Sequence, residues 1–248
     1  MRTAFLLTLA LLVSCAPAAS AQGGLNLFVD HCGADGGLTR ALFDCNSNAG
    51  NSVFIASIVI PADMPQFAAT SAIFDVMIAA GTLPPWWQVG TGQCRANAVV
   101  ASYDPTTFPP SDNCPSIWGE IVPLQVQRIE VGIYGPGSFR LNSGAAVPVG
   151  SERSLVADGT DRVVCRVIVQ HAKTTGASAC EGCRVGACIL LNQMKLQQPA
   201  GVGDYTVTYP NWNFIVGHNA DGYLSSNGPD CTTPALNRTW GAIKSMYR

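Results

Sequence analysis

Nine cysteines follow an export-type leader in this chain, and no other feature constrains its folding more. Met1-Arg2 gives a short positive start, Phe5 to Val13 is an apolar run of leader length, and Ala19-Ser20-Ala21 is a small-x-small cleavage pattern. Residues 1–21 therefore read as a signal peptide, with Gln22 opening the mature chain. The apolar run is too short for a permanent membrane anchor. Export implies a secreted protein, extracellular or periplasmic, in an oxidising space where cysteines become covalent staples. A second reading uses Leu12-Val13-Ser14-Cys15 as a lipobox, which leaves the chain lipid-anchored through Cys15.

The mature cysteines are Cys32, Cys45, Cys94, Cys114, Cys165, Cys180, Cys183, Cys188 and Cys231. An odd number leaves one unpaired. Val163, Cys165, Val167 and Val169 alternate with Arg166 and Gln170, so Cys165 falls on a core face and is expected to be the free, buried thiol. Cys32 and Cys45 bracket one Gly-rich loop, Cys94 and Cys114 one Pro-rich loop, and each couple is expected to pair. For Cys180, Cys183, Cys188 and Cys231 the expectation is one bridge within the 180–188 loop and one to Cys231. Cys180-x-x-Cys183 as a redox site lacks the flanking helix N-terminus that would stabilise a thiolate. The same cluster with His171 as a zinc site lacks a second matching ligand pair.

Three Lys and four Glu stand against 25 Gly and 16 Pro, so surface-helix formers are scarce while strand and turn residues abound. An apolar fraction of 48% argues against disorder. Strand patterns occupy 25–30, 53–60, 70–79, 97–102, 162–171, 187–197, 205–209 and 213–217. Residues 53–60 are apolar on both faces, as in a central strand. In 70–79, Ala72, Phe74, Val76 and Ile78 share one face. Leu124 and Val126 are out of phase with Ile129, Val131 and Ile133, which predicts a bulge near Gln127-Arg128. The fold expected is an all-β, disulfide-stapled, two-sheet β-sandwich or jelly roll, one domain over 22–248. Residues 237–248 are expected to form a tail or short docked helix, with Trp240, Ile243 and Tyr247 on one face.

Function classes narrow by exclusion. Loss of Arg2 with the leader takes the formal charge from −2 to −3, and no basic stripe suits nucleic acid. His31, His171 and His218 lie in no catalytic motif. Glu120, Glu130, Glu152 and Glu181 form no evident glycosidase couple, and Arg128 with Glu130 reads as a surface ion pair. No cofactor or metal is expected, with calcium as the alternative on Asp30, Asp35 and Asp44 or on Asn219, Asp221 and Asp230. The candidate ligand-binding residues are aromatic. Adjacent strand residues point to opposite faces, so Trp86 or Trp87 should be exposed, with Trp118 and Trp212 beside loops. The function expected is a secreted, non-enzymatic recognition or adhesion module for a glycan, surface component or extracellular protein. The alternatives are a structural subunit of a cell-surface layer or appendage, and a secreted hydrolase with a dispersed site.

Overall fold

The computed structural model describes residues 24–219 apart from 112, 209 and 213. The leader at 1–21, Cys15, Cys231 and the 237–248 segment lie outside the described residues. The strands in chain order are β1 (Gly24–Val29), β2 (Arg40–Phe43), β3 (Asn51–Val59), β4 (Met64–Phe67), β5 (Ala69–Ile78), β6 (Val99–Ser102) and β7 (Leu124–Val131). There follow β8 (Ser138–Ala146), β9 (Arg153–Leu155), β10 (Asp161–Gln170), β11 (Ala187–Gln197), β12 (Tyr205–Val207), β13 (Pro210–Trp212) and β14 (Phe214–Asn219). No described helix is long and apolar enough to cross a membrane.

Two sheets face each other in a sandwich-like all-β fold. One runs β13-β1-β3-β10-β6, the other β2-β14-β11-β5-β8-β7, with β12 also paired to β11 and a small β4-β9 ribbon beside them. The period-2 patterns explain the layers. Phe54, Ala56 and Ile58 of β3 and Val167 and Val169 of β10 meet Ala72, Phe74, Val76 and Ile78 of β5 in one core. β3 lies between β1 and β10, as its two-sided apolar character requires.

Bulges occur where the apolar phase switches. In β11 the register slips between Leu191 and Gln193, so Ile189 and Leu191 point inward before the bulge, and Met194 and Leu196 after it. In β10 it slips between Val163 and Cys165. This corrects one expectation: Cys165 faces the main core, but Val163 turns to the outer face, against Cys32, Ile55 and Cys114. The bulge expected near Gln127-Arg128 does not form, because β7 pairs with β8 in unbroken register from Leu124↔Ala146 to Val131↔Phe139.

Cys165 is free and buried. The pairings expected from sequence are replaced by Cys32–Cys114, Cys45–Cys183 and Cys94–Cys180. The reason lies in the layers. Cys32 follows β1 in one sheet and Cys45 follows β2 in the other, so closeness in sequence places them on different layers. Cys180 and Cys183 sit in one loop but reach different partners, which removes both the bridge expected within that loop and a redox couple between them. Cys188 is also disulfide-bonded.

Candidate functional site

The tryptophans were the first candidates, and the structure places them inside. Trp86, Trp87 and Trp118 are each 0% exposed, so none offers a platform to a ligand. Trp86 and Trp87 are not on a strand. Pro84-Pro85 opens a 3-10 turn over Pro85–Trp87, favoured by a proline at its first position. A helical turn does not send neighbours to opposite faces, and both indoles enter the core, edge to face with ring centres 4.8 Å apart. Phe43 touches both rings. Each indole N–H is satisfied: Trp86 donates to the Thr174 hydroxyl at 2.9 Å and Trp87 to the Val185 carbonyl at 3.4 Å. Trp118 packs elsewhere, on Phe67 and Tyr103, and donates to the Val164 carbonyl at 2.7 Å. The side chain of Trp212 lies outside the described residues.

A polar group closes the core beside Trp86. The Arg95 guanidinium stacks 3.7 Å from the Trp86 ring centre and donates to the carbonyls of Trp86, Gln170 and Ala172. Burial lowers its pKa to about 10. Next to it, Ser52 Oγ lies 3.0 Å from His171 Nε2, and His171 Nδ1 lies 3.2 Å from the Ala49 carbonyl. This resembles a nucleophile–base pair, but its third member is a carbonyl rather than a carboxylate, and both side chains are buried. Burial holds the His171 pKa below its usual value, so the neutral imidazole acts here as a packing and hydrogen-bonding group.

The carboxylates do not converge either. Asp75, buried on the outer face of β5, accepts from Arg140, Tyr134 and Asn192 at 2.7–3.0 Å, a satisfied structural network. Asp161 is raised in pKa by burial against hydrogen bonds from Asn26 and Ser57. Asp30, Asp35 and Asp44 form no common donor set. Among the described residues, Cys32, Asp35 and Cys114 are the one group with potential ligand atoms within 4.8 Å of one another, and its two sulfurs are bonded together. Asn219, Asp221 and Asp230 fall outside the described side chains.

What the surface does present is an open sheet edge. β7 is the last strand of its sheet, with only β8 beside it. On its outward face Leu124 is 77% and Val126 75% exposed, followed by Arg128 and Glu130, which form a 3.5 Å ion pair. Val122 and Val131 add further exposed apolar surface at its ends. On its inward face Ile129 packs on the core. Gln125 and Gln127 accept, through their side-chain oxygens, from the backbone N–H groups of Tyr103 (2.9 Å) and Ala101 (2.8 Å). They thereby seal the edge of β6 and the loop after it. No side chain among the described residues seals β7 in return.

Backbone direction completes the edge. Ile78 N–H bonds the Gly137 carbonyl and Gly132 N–H bonds the Ser138 carbonyl. Because bonded and unbonded residues alternate along an antiparallel ladder, the even residues of β7 face β8. The N–H and C=O groups of Gln125, Gln127, Ile129 and Val131 therefore point away from the sheet, toward any strand laid alongside. Sequence reasoning reached these residues only as a phase conflict. The signal was there: apolar Leu124 and Val126 out of step with Ile129 mark a strand with apolar residues on both faces and no layer over one of them. No protein-family model matches this chain, and no curated protein matches it in sequence.

Proposed function

We propose that this chain is an extracellular, non-enzymatic β-sandwich that works by binding a protein through the open edge of β7. The observation that carries this reading is the exposure of Leu124 and Val126 beside a row of outward-facing backbone groups. Natural sheets guard such edges with charged residues, prolines or bulges; β7 has no proline or bulge, and its two charges, Arg128 and Glu130, stand at one end and leave Leu124 and Val126 unguarded. An added strand gains hydrogen bonds along the edge and buries apolar side chains on one face. The leader-like start and the three described bridges fit work in an oxidising compartment. A glycan platform of indoles is not carried forward, since three of its four tryptophans are core residues.

The test is retention on the outer surface of the producing cells. Wild-type mature protein should bind that surface fraction, and Leu124→Lys/Val126→Lys should not. Both positions are solvent-exposed, so the variant should melt with the wild type. Equal retention of the two proteins, with neither of them associating with itself through this edge, refutes the reading.

A further inference from the structure

We infer that the strand taken up by this edge is the β7 of a second copy of this chain, running antiparallel across a two-fold axis through Ile129. The inference rests on the reading above and adds the identity of the partner. It is carried by self-complementarity. In an antiparallel pair centred on Ile129, Arg128 stands opposite Glu130 of the second copy, and Glu130 opposite its Arg128. Opposite charges directly across a ladder attract, and here the symmetry supplies the contact twice. Arg128 is free to turn outward, being 78% exposed in its side chain, and its bond to Glu130 within the strand is a long 3.5 Å.

The backbone agrees with this centre. Gln127, Ile129 and Val131 carry outward N–H and C=O groups, and the pairing sets Ile129 on Ile129 and Gln127 on Val131, each couple exchanging two hydrogen bonds. A centre at Arg128 instead would oppose the two arginines. On the outward face Val126 falls opposite Gly132, where a Cβ would meet nothing within 4 Å, so the valine finds open room. The other sheet takes no part on this side, because Gln125 and Gln127 already occupy the edge donors of Ala101 and Tyr103. A two-fold pairing uses β7 of both copies and stops there.

Sedimentation velocity on the full, oxidised mature protein, from about 1 to 100 µM, tests this. Wild type should show a monomer–dimer equilibrium. Arg128→Glu, which places two glutamates opposite each other twice, should weaken the dimer by roughly tenfold or more. Arg128→Glu/Glu130→Arg restores the opposition with its signs exchanged and should return the dissociation constant to within about threefold of wild type. Within one copy Glu130 also stands across from Arg140 of β8, so the double variant should melt somewhat lower, and unchanged far-UV circular dichroism of the three proteins excludes misfolding. A wild type that stays monomeric at the top concentration, a dimer indifferent to Arg128→Glu, a double variant that fails to recover, or open-ended polymers would each overturn the inference. If the wild type is monomeric but Leu124→Lys/Val126→Lys still loses surface retention, binding through the edge stands and pairing between copies falls.

Discussion

Removing the Cys45–Cys183 bridge measures how the staples act together. The two cysteines are 138 residues apart, and taken alone a loop of that length would contribute about 5 kcal/mol by restricting the unfolded chain. The other bridges shorten the path. From Cys45 the chain runs back to Cys32, crosses to Cys114, returns to Cys94, crosses to Cys180 and reaches Cys183 in about 36 residues. On the same relation the contribution falls to about 3.8 kcal/mol. Cys45→Ala/Cys183→Ala should therefore lose about 4 kcal/mol of unfolding free energy, with the other bridges intact, in equilibrium urea titrations followed by tryptophan fluorescence. The slope against urea should rise as the unfolded state expands. A pairing of Cys32 with Cys45 would instead close a loop of about 13 residues, worth about 3 kcal/mol, and would leave Cys183 linked elsewhere. Peptide mapping of the native protein separates the two. A loss below about 1 kcal/mol, with the bridge confirmed by mapping, would refute the claim that the bridges act by limiting the unfolded chain.

Trp86→Ala should cost about 3–5 kcal/mol, from the emptied core and the abandoned Arg95 and Thr174 contacts, and calorimetry should register it as a large fall in Tm. His171 should make the fold acid-sensitive. Its pKa is lowered in the fold from 6.5, so the unfolded chain takes up its proton first; stability is full above about pH 6.5 and declines as pH falls toward the lower folded value. Urea midpoints of His171→Gln between pH 7.5 and 5 should show a shallower decline than wild type. Asp161 behaves oppositely: its folded pKa is raised, so its favourable contribution belongs to low pH and is lost as pH rises through the folded value. Asp161→Asn should accordingly match or exceed the wild-type Tm at pH 7, with the gain shrinking toward pH 4. Thiol alkylation should leave Cys165 unmodified in the native protein, since burial raises its pKa to about 12 and removes access, and should label it once the chain is unfolded.

Where side-chain pattern alone decides placement, the sequence told the fold clearly. The apolar face of β5 and the two-sided apolar run of β3 need no partner to be recognised. β8 was hidden for a definite reason. Ser138, Arg140, Asn142, Ser143 and Gly144 make the segment largely polar and it is assigned no strand pattern, yet Ser143 is made suitable for the interior by a 2.7 Å bond to the Tyr103 hydroxyl, a residue 40 positions away. Gly144 suits its place because a Cβ there would sit a tight 3.0 Å from the Thr70 carbonyl oxygen. Both reasons exist only after the strands have met. The bridges were opaque on similar grounds, since pairing depends on which layer each cysteine reaches. The indoles misled because a local 3-10 turn, signalled by Pro84-Pro85, replaced the alternation assumed for them. In β7 the pattern is visible and its cause is not: apolar residues on both faces of an unbroken strand give the same phase conflict as a bulge.

The connection between β10 and β11 is fastened at two points, through Cys180 to Cys94 and through Cys183 to Cys45, and Lys173 lies within it with its ammonium on the Cys94 carbonyl. A trypsin-like enzyme cutting after Lys173 would make two polypeptides, but the sulfur links would keep them in one body with both sheets whole. Such a cut is damage the molecule can carry without coming apart.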